Sequence, residues 1–326
     1  MNEFILALFS AEDKLKPSTL YQVLVGKRTS SVLTYAFFHD LLPLSAVLPE
    51  LAEKQFYEHL RQLQKEQRLR TDGELLSAAA PTAREPRLSE VDFFKYGRKA
   101  DECWRSVQFL VQVFSFWERK QSYLPLESAP FYTERVRRFV HEHRHEKARF
   151  YHELTQLFAA LPQEKADFLA RSLTGFQQNG AVFFQLLPEA DQKSPWSALS
   201  IASATHAFFR EVGRKPDFLL YQFLKPLLVQ NMNRSMLQTR HLFQQGHSFQ
   251  EVMAIRRLKQ GTIQDHVLEW SLLDPQFPFD HFLPHQKELA TLPEDSWKLG
   301  YKDLVATYQA SFLEIRLYQI WRKKQC

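Results

Sequence analysis

The strongest constraint on the fold lies between Met236 and Trp270, where apolar residues, a glycine and a capping sequence recur at helical intervals. Met236, Leu237, Arg240 and Phe243 define a first helix, and Gly246 suits the left-handed position that closes it. Ser248-Phe-Gln-Glu251 is a capping box. In it the Ser hydroxyl accepts from the amide three residues on, while the Glu carboxylate returns to the Ser amide. It starts a short second helix, with Val252 and Ile255 expected to face inward. A basic turn with Arg256, Arg257 and Lys259 follows, and Thr262 opens a third helix in which Ile263, Val267 and Trp270 share one face. A short helix, a tight turn and a third helix with one apolar face form a helix-turn-helix.

Further along, Ser311-Phe-Leu-Glu314 repeats the capping pattern and starts a second basic-ended helix with Arg322, Lys323 and Lys324 near its end. Upstream, Ala78 to Pro86 is small and Pro-punctuated and reads as a linker. Before it the periodicity predicts three helices: Ser18 to Val25 with Ser18 as N-cap, Thr29 to Leu42, and Leu51 to Leu69 with Phe56, Leu60 and Leu63 on one stripe. Asp72-Gly73 then marks a tight turn between strand-like arms, which gives the helix order of a winged helix with a small β-hairpin. Between Arg87 and Leu228 the pattern is helical throughout: a buried helix over Trp104 to Trp117, then Tyr132 to Leu161, Pro162 to Leu187, Pro195 to Val212 and Asp217 to Gln230. The reading is an all-α, multi-helix chain. It has a winged-helix-like N-terminal domain (1–80), a helical middle domain (87–230) and a C-terminal helix-turn-helix domain (231–326).

Composition narrows the function classes. With 9 Gly in 326 residues, a glycine-cradled nucleotide fold is disfavoured, whereas 28 Phe provide ample core. Cys103 and Cys326 make neither a disulfide framework nor a zinc set. The N-terminal Met-Asn-Glu-Phe-Ile-Leu-Ala-Leu-Phe lacks a basic start, and no apolar run approaches bilayer length, so a cytoplasmic location with no membrane role is expected. A net charge of +5 suits a polyanion without requiring one.

In a helix-turn-helix the third helix offers its outer face to the major groove while basic residues at the turn meet phosphates. Groove contacts are therefore expected from Gln260, Thr262, Gln264 and His266, and phosphate contacts from Arg256, Arg257 and Lys259, with Lys27 and Arg28 adding to them. The positive charge gathers at the turn, so binding to the DNA backbone or to DNA structure is expected over reading one operator. The same unit can instead dock a protein or serve a transcriptional regulator.

Ser248-x-x-Glu-Val-x-x-Ile-Arg-x-Leu258 followed by Thr262-Ile-x-Asp-His-Val267 resembles the helicase-associated helix-turn-helix domain of some RecQ-type helicases and of the YpbB family. Ser311-Phe-x-Glu-Ile-Arg-Leu317 is similar to that domain's closing helix, and Tyr21-Gln-Val-Leu-Val-Gly-Lys-Arg-Thr-Ser-Ser31 is similar to the start of YpbB. The resemblance implies a non-enzymatic DNA-binding protein that partners a RecQ-type helicase. Met253 and Gly261 depart from the pattern.

Two segments imitate catalytic motifs. His141-Glu-His-Arg-His145 spells the helical zinc motif, but the intervening positions are charged and no third ligand stands out, so it reads as a solvated helix face. Gly26-Lys27-Arg28-Thr29 lacks the first glycine and the hydroxyl after lysine that a phosphate loop needs. Neither a cofactor nor an enzymatic activity is expected, and Cys103 reads as a small buried hydrophobe.

Overall fold

A computed structural model describes residues 1–81, 85–117, 119, 121–283, 292, 296, 299, 304–305, 308 and 310–325. Thr82, Ala83 and Arg84 of the expected linker lie outside the described residues, as does Cys326. The described chain is helical apart from one antiparallel hairpin, β1 (Leu69–Asp72) and β2 (Leu75–Ala78). In its register Asp72 faces Leu75, so Gly73 (φ +59°) and Glu74 make the two-residue turn that Asp-Gly signals. Leu15 bridges to Leu76 on the free edge of β2.

The chain divides into two compact units. One comprises residues 1–8, 58–68 and 81–231; the other comprises 9–57, 69–80 and 232–326.

The first unit is a helical bundle around Ala100–Phe116, of which Cys103, Val107, Leu110 and Phe114 are fully buried. Phe114 stacks on Phe150 at 4.6 Å between ring centroids, and Trp104 meets Phe208 edge-on at 5.3 Å. The Trp104 indole donates to Ser172, so its one polar atom is satisfied in the core. Burial pushes the Cys103 thiol up to about 12, consistent with an inert packing residue.

The expected long helix over Tyr132 to Leu161 is two helices, Pro130–Glu142 and Lys147–Ala159. The first helix ends at His143 (φ −110°, ψ +23°), and His143 Nδ1 pairs with Glu146 across the break at 2.8 Å. The Pro162 to Leu187 segment likewise stops early. Gln163–Ala170 is helical, and a turn bridged between Gly175 and Gln178 leads to the short helix Phe183–Leu186. Trp196–Gly213 and Leu219–Leu228 fall where the periodicity puts them.

In the second unit, helices Pro17–Leu24 and Ser30–Phe38 precede the hairpin. Pro17, with its fixed φ, takes the first helical position, and Lys16 caps the helix where Ser18 was expected. Ser30–Phe38 ends before Leu42 because Asp40 turns left-handed (φ +56°). The helix Glu53–Lys65, whose residues from Glu58 onward belong to the first unit, is shorter than Leu51 to Leu69 but buries the expected stripe of Phe56, Leu60 and Leu63.

Gly26 closes Pro17–Leu24 at φ +84° with the Gly26 amide on Val23 O and the Lys27 amide on Gln22 O. A Cβ there would stand 2.5 Å from Ala46 Cβ. Gly26→Ala is therefore expected to cost about 2 kcal/mol, from the left-handed backbone plus the clash, read as a lower urea midpoint.

Candidate nucleic-acid interface

Three helices build the helix-turn-helix: Arg234–Gln244, Phe249–Arg256 and Gln260–Leu273. Asn233 caps the first, its Oδ1 accepting from the amides of Ser235 and Met236. Gly246 (φ +88°) ends it, with the Gly246 amide on Phe243 O and the His247 amide on Leu242 O. The expected capping box is present in full: Ser248 Oγ accepts from the Glu251 amide at 3.3 Å, and the Ser248 amide donates to Glu251 Oε2 at 2.8 Å. The second box forms in the same way at Ser311 and Glu314, starting the terminal helix Phe312–Gln325.

The turn into the third helix repeats the Gly246 geometry without a glycine. Arg257 is left-handed (φ +51°, ψ +42°), its amide on Ala254 O and that of Leu258 on Met253 O. Lys259 is then the N-cap, and the helix begins at Gln260, two residues before Thr262. No side chain caps the amides of its first turn, so the helix end remains open to an anion.

Burial sorts the expected contact residues. Arg257, Lys259, Gln260 and Thr262 are exposed together at the turn and helix start, and Gln264 is half-buried one turn on. His266 is 6% exposed, and its Nδ1 shares a hydrogen bond with Thr239 Oγ1 at 2.9 Å. It lies one turn before Trp270 on the apolar stripe, so it packs inward and is not a groove contact. Burial, then the nearby Arg256 charge, holds its pKa below the usual range.

Arg256 is committed inside the unit. Nη1 donates to Ser235 O (2.7 Å) and Thr239 Oγ1 (3.1 Å), and Nη2 donates to Ser235 Oγ (2.9 Å). It joins the first two helices, and the turn's outward charge comes from Arg257 and Lys259. Ile255, expected inward, is 53% exposed, whereas Val252, Ile263 and Val267 are fully buried and Trp270 nearly so. Val252 is the one buried residue of this helix.

Lys27 is exposed, and Arg28 reaches 3.4 Å from Glu269 Oε1 on the third helix. Sequence reasoning passed over Glu269. It is 4% exposed, accepts from Asn233 Nδ2 at 2.9 Å, and so ties the first helix's cap and the N-terminal turn to the third helix. The signal was available: Glu269 is the one ionisable residue within Val267 to Leu273. The basic end of the terminal helix has a comparable structural duty. Lys324 Nζ donates to the carbonyls of Ser271 and Asp274 at the end of the third helix, and Lys323 Nζ to Phe38 O.

His141 is followed by the helix end at Glu142, so His141 and His145 do not share one helix, and both are exposed. Among the described residues no group of three His, Cys, Asp or Glu side chains is placed to hold a metal. No helix among them is long and apolar enough to cross a membrane.

Fold and site together define a helix-turn-helix protein, and residues 235–319 match the family model described as a helix-turn-helix domain. Over 199 residues the chain is 24% identical to Protein YpbB of Bacillus subtilis (strain 168), covering 60% of this chain and 56% of that protein. The chain thus spans little more than half the length of this curated relative. Both findings support the resemblance to the YpbB family read from the sequence. No solved structure matches.

Proposed function

We propose that this is a non-enzymatic, cytoplasmic DNA-binding accessory protein that works through its helix-turn-helix alongside a RecQ-type DNA helicase in repair or recombination. The observation that carries the DNA reading is the turn Arg257 to Thr262, where two exposed cations precede an uncapped helix start. Backbone amides, helix dipole and side-chain charge all favour a phosphate at that place. Gln260 and Thr262 stand beside it as hydrogen-bonding groups for base edges, with Gln264 behind them. Lys27, exposed in the same unit, is taken as a further phosphate contact. The helicase partnership rests on the family resemblance.

Fluorescence anisotropy on duplex, forked and single-stranded DNA tests the first part. With Lys27, Arg257 and Lys259 each neutralising one phosphate, log K should fall against log salt with a slope of about −3. Salt-independent or absent binding to every form, by folded protein, would overturn the reading. Co-purification with a RecQ-type helicase that persists after nuclease treatment and in high salt tests the second part.

A further inference from the structure

Ile255 points away from the core of its own motif. It does not stand alone, because Leu237, Leu242 and Ile255 form the apolar floor of a groove of about 460 Å³ between the first two helices. Its rim carries Arg234, His241 and Arg256, and no carboxylate lines it. Arg234 is exposed and opens its helix, so the positive end of the helix dipole adds to its charge at that end of the groove. None of Arg257, Lys259, Gln260 or Thr262 lines this groove.

We propose that this groove docks an acidic amphipathic segment of a protein partner. Apolar side chains of the segment would seat on Leu237, Leu242 and Ile255, and carboxylates would flank Arg234. The apolar floor decides between polyanions: a nucleic-acid backbone gains nothing from burying against leucine and isoleucine, whereas an amphipathic peptide does. The rim sets the partner's sign of charge. The groove shares no lining residue with the turn Arg257 to Thr262, so the inference rests on different side chains from those of DNA binding.

The test is a display selection of random 16-residue peptides against the full chain, followed by anisotropy on the winners. Enrichment of peptides with apolar residues at helical spacing and Asp or Glu between them is expected. Ile255→Asp should weaken them at least tenfold and Arg234→Glu severalfold, while the duplex affinity of Ile255→Asp falls much less than its peptide affinity, by the added charge alone. No enrichment, enrichment of basic peptides, or binding indifferent to both variants would overturn the proposal. A loss of DNA binding in Ile255→Asp parallel to the peptide loss would also overturn it, by making the groove part of the DNA surface. Should Ile255→Asp melt early, Arg234→Glu, at an exposed position, decides alone.

Discussion

Reversing the charge of Arg257 and Lys259 together is expected to lower duplex affinity about a hundredfold near 0.1 M salt, since each lost phosphate contact is worth roughly tenfold there. The slope of log K against log salt should flatten by about two in the same variant. Thermal stability should hold, because both side chains are exposed. The adjacent residue should behave in the opposite way. Arg256→Met removes three hydrogen bonds to Ser235 and Thr239, the latter 1% exposed, and should cost about 2 kcal/mol of stability. Its direct effect on DNA should be small while the protein stays folded.

Arg257→Gly sharpens the contrast. Arg257 occupies a left-handed position where a side chain costs about 1 kcal/mol and glycine does not. The glycine variant should therefore be at least as stable as the parent and yet bind DNA less well. Titration by anisotropy and urea melts on the same samples would show it. If Arg257→Gly binds as tightly as the parent, the turn leaves the interface.

These opposite outcomes at neighbouring arginines mark what the sequence can and cannot disclose. Elements whose determinants are local were legible: both capping boxes, Gly246 as a helix end, the Asp72-Gly73 hairpin, and the stripe Phe56, Leu60, Leu63. Periodicity also found the buried faces of Val252, Ile263 and Val267. Three kinds of fact were not legible, because they depend on what lies across from a residue. Whether a guanidinium faces solvent or a neighbouring helix is not written in its own segment, so Arg256 and Arg257 read alike until Ser235 and Thr239 come into view. The helix break at His143 falls inside the charged run His141 to Lys147, where no glycine or proline marks it. Long-range assembly was the third. Residues 9–57 share a unit with residues 232–326, and Arg28–Glu269 and Lys323–Phe38 join segments more than two hundred positions apart. No short window holds that information. It also gives the resemblance to YpbB at both ends of the chain a physical sense, since those ends are one packed unit.

Acid should weaken the first unit through one histidine. His206 is fully buried; its Nδ1 accepts from the Asp92 amide at 3.0 Å, which fixes the neutral tautomer with its proton on Nε2. Phe93 and Tyr96 pack their rings against it at 5.1 and 5.4 Å, an apolar surrounding that disfavours an imidazolium. Burial, then the Arg210 charge, lowers its pKa from 6.5 to about 3. A lowered folded-state pKa means the unfolded chain binds the proton first. The contribution is therefore intact above pH 6.5 and is lost as pH falls from there towards 3, at up to about 1.4 kcal/mol per pH unit. Asp92 works in the other sense, because burial raises its carboxyl and the fold gains the proton there. A comparison with His206→Gln isolates the histidine, since the amide oxygen can still accept from Asp92. Between pH 7 and 4.5 the parent should lose roughly 3 kcal/mol more than the variant, measured by urea melts and by amide exchange in Trp196–Gly213. Parallel pH profiles would refute the assignment. So would a His206 ring that titrates near pH 6.5 by NMR in the folded protein.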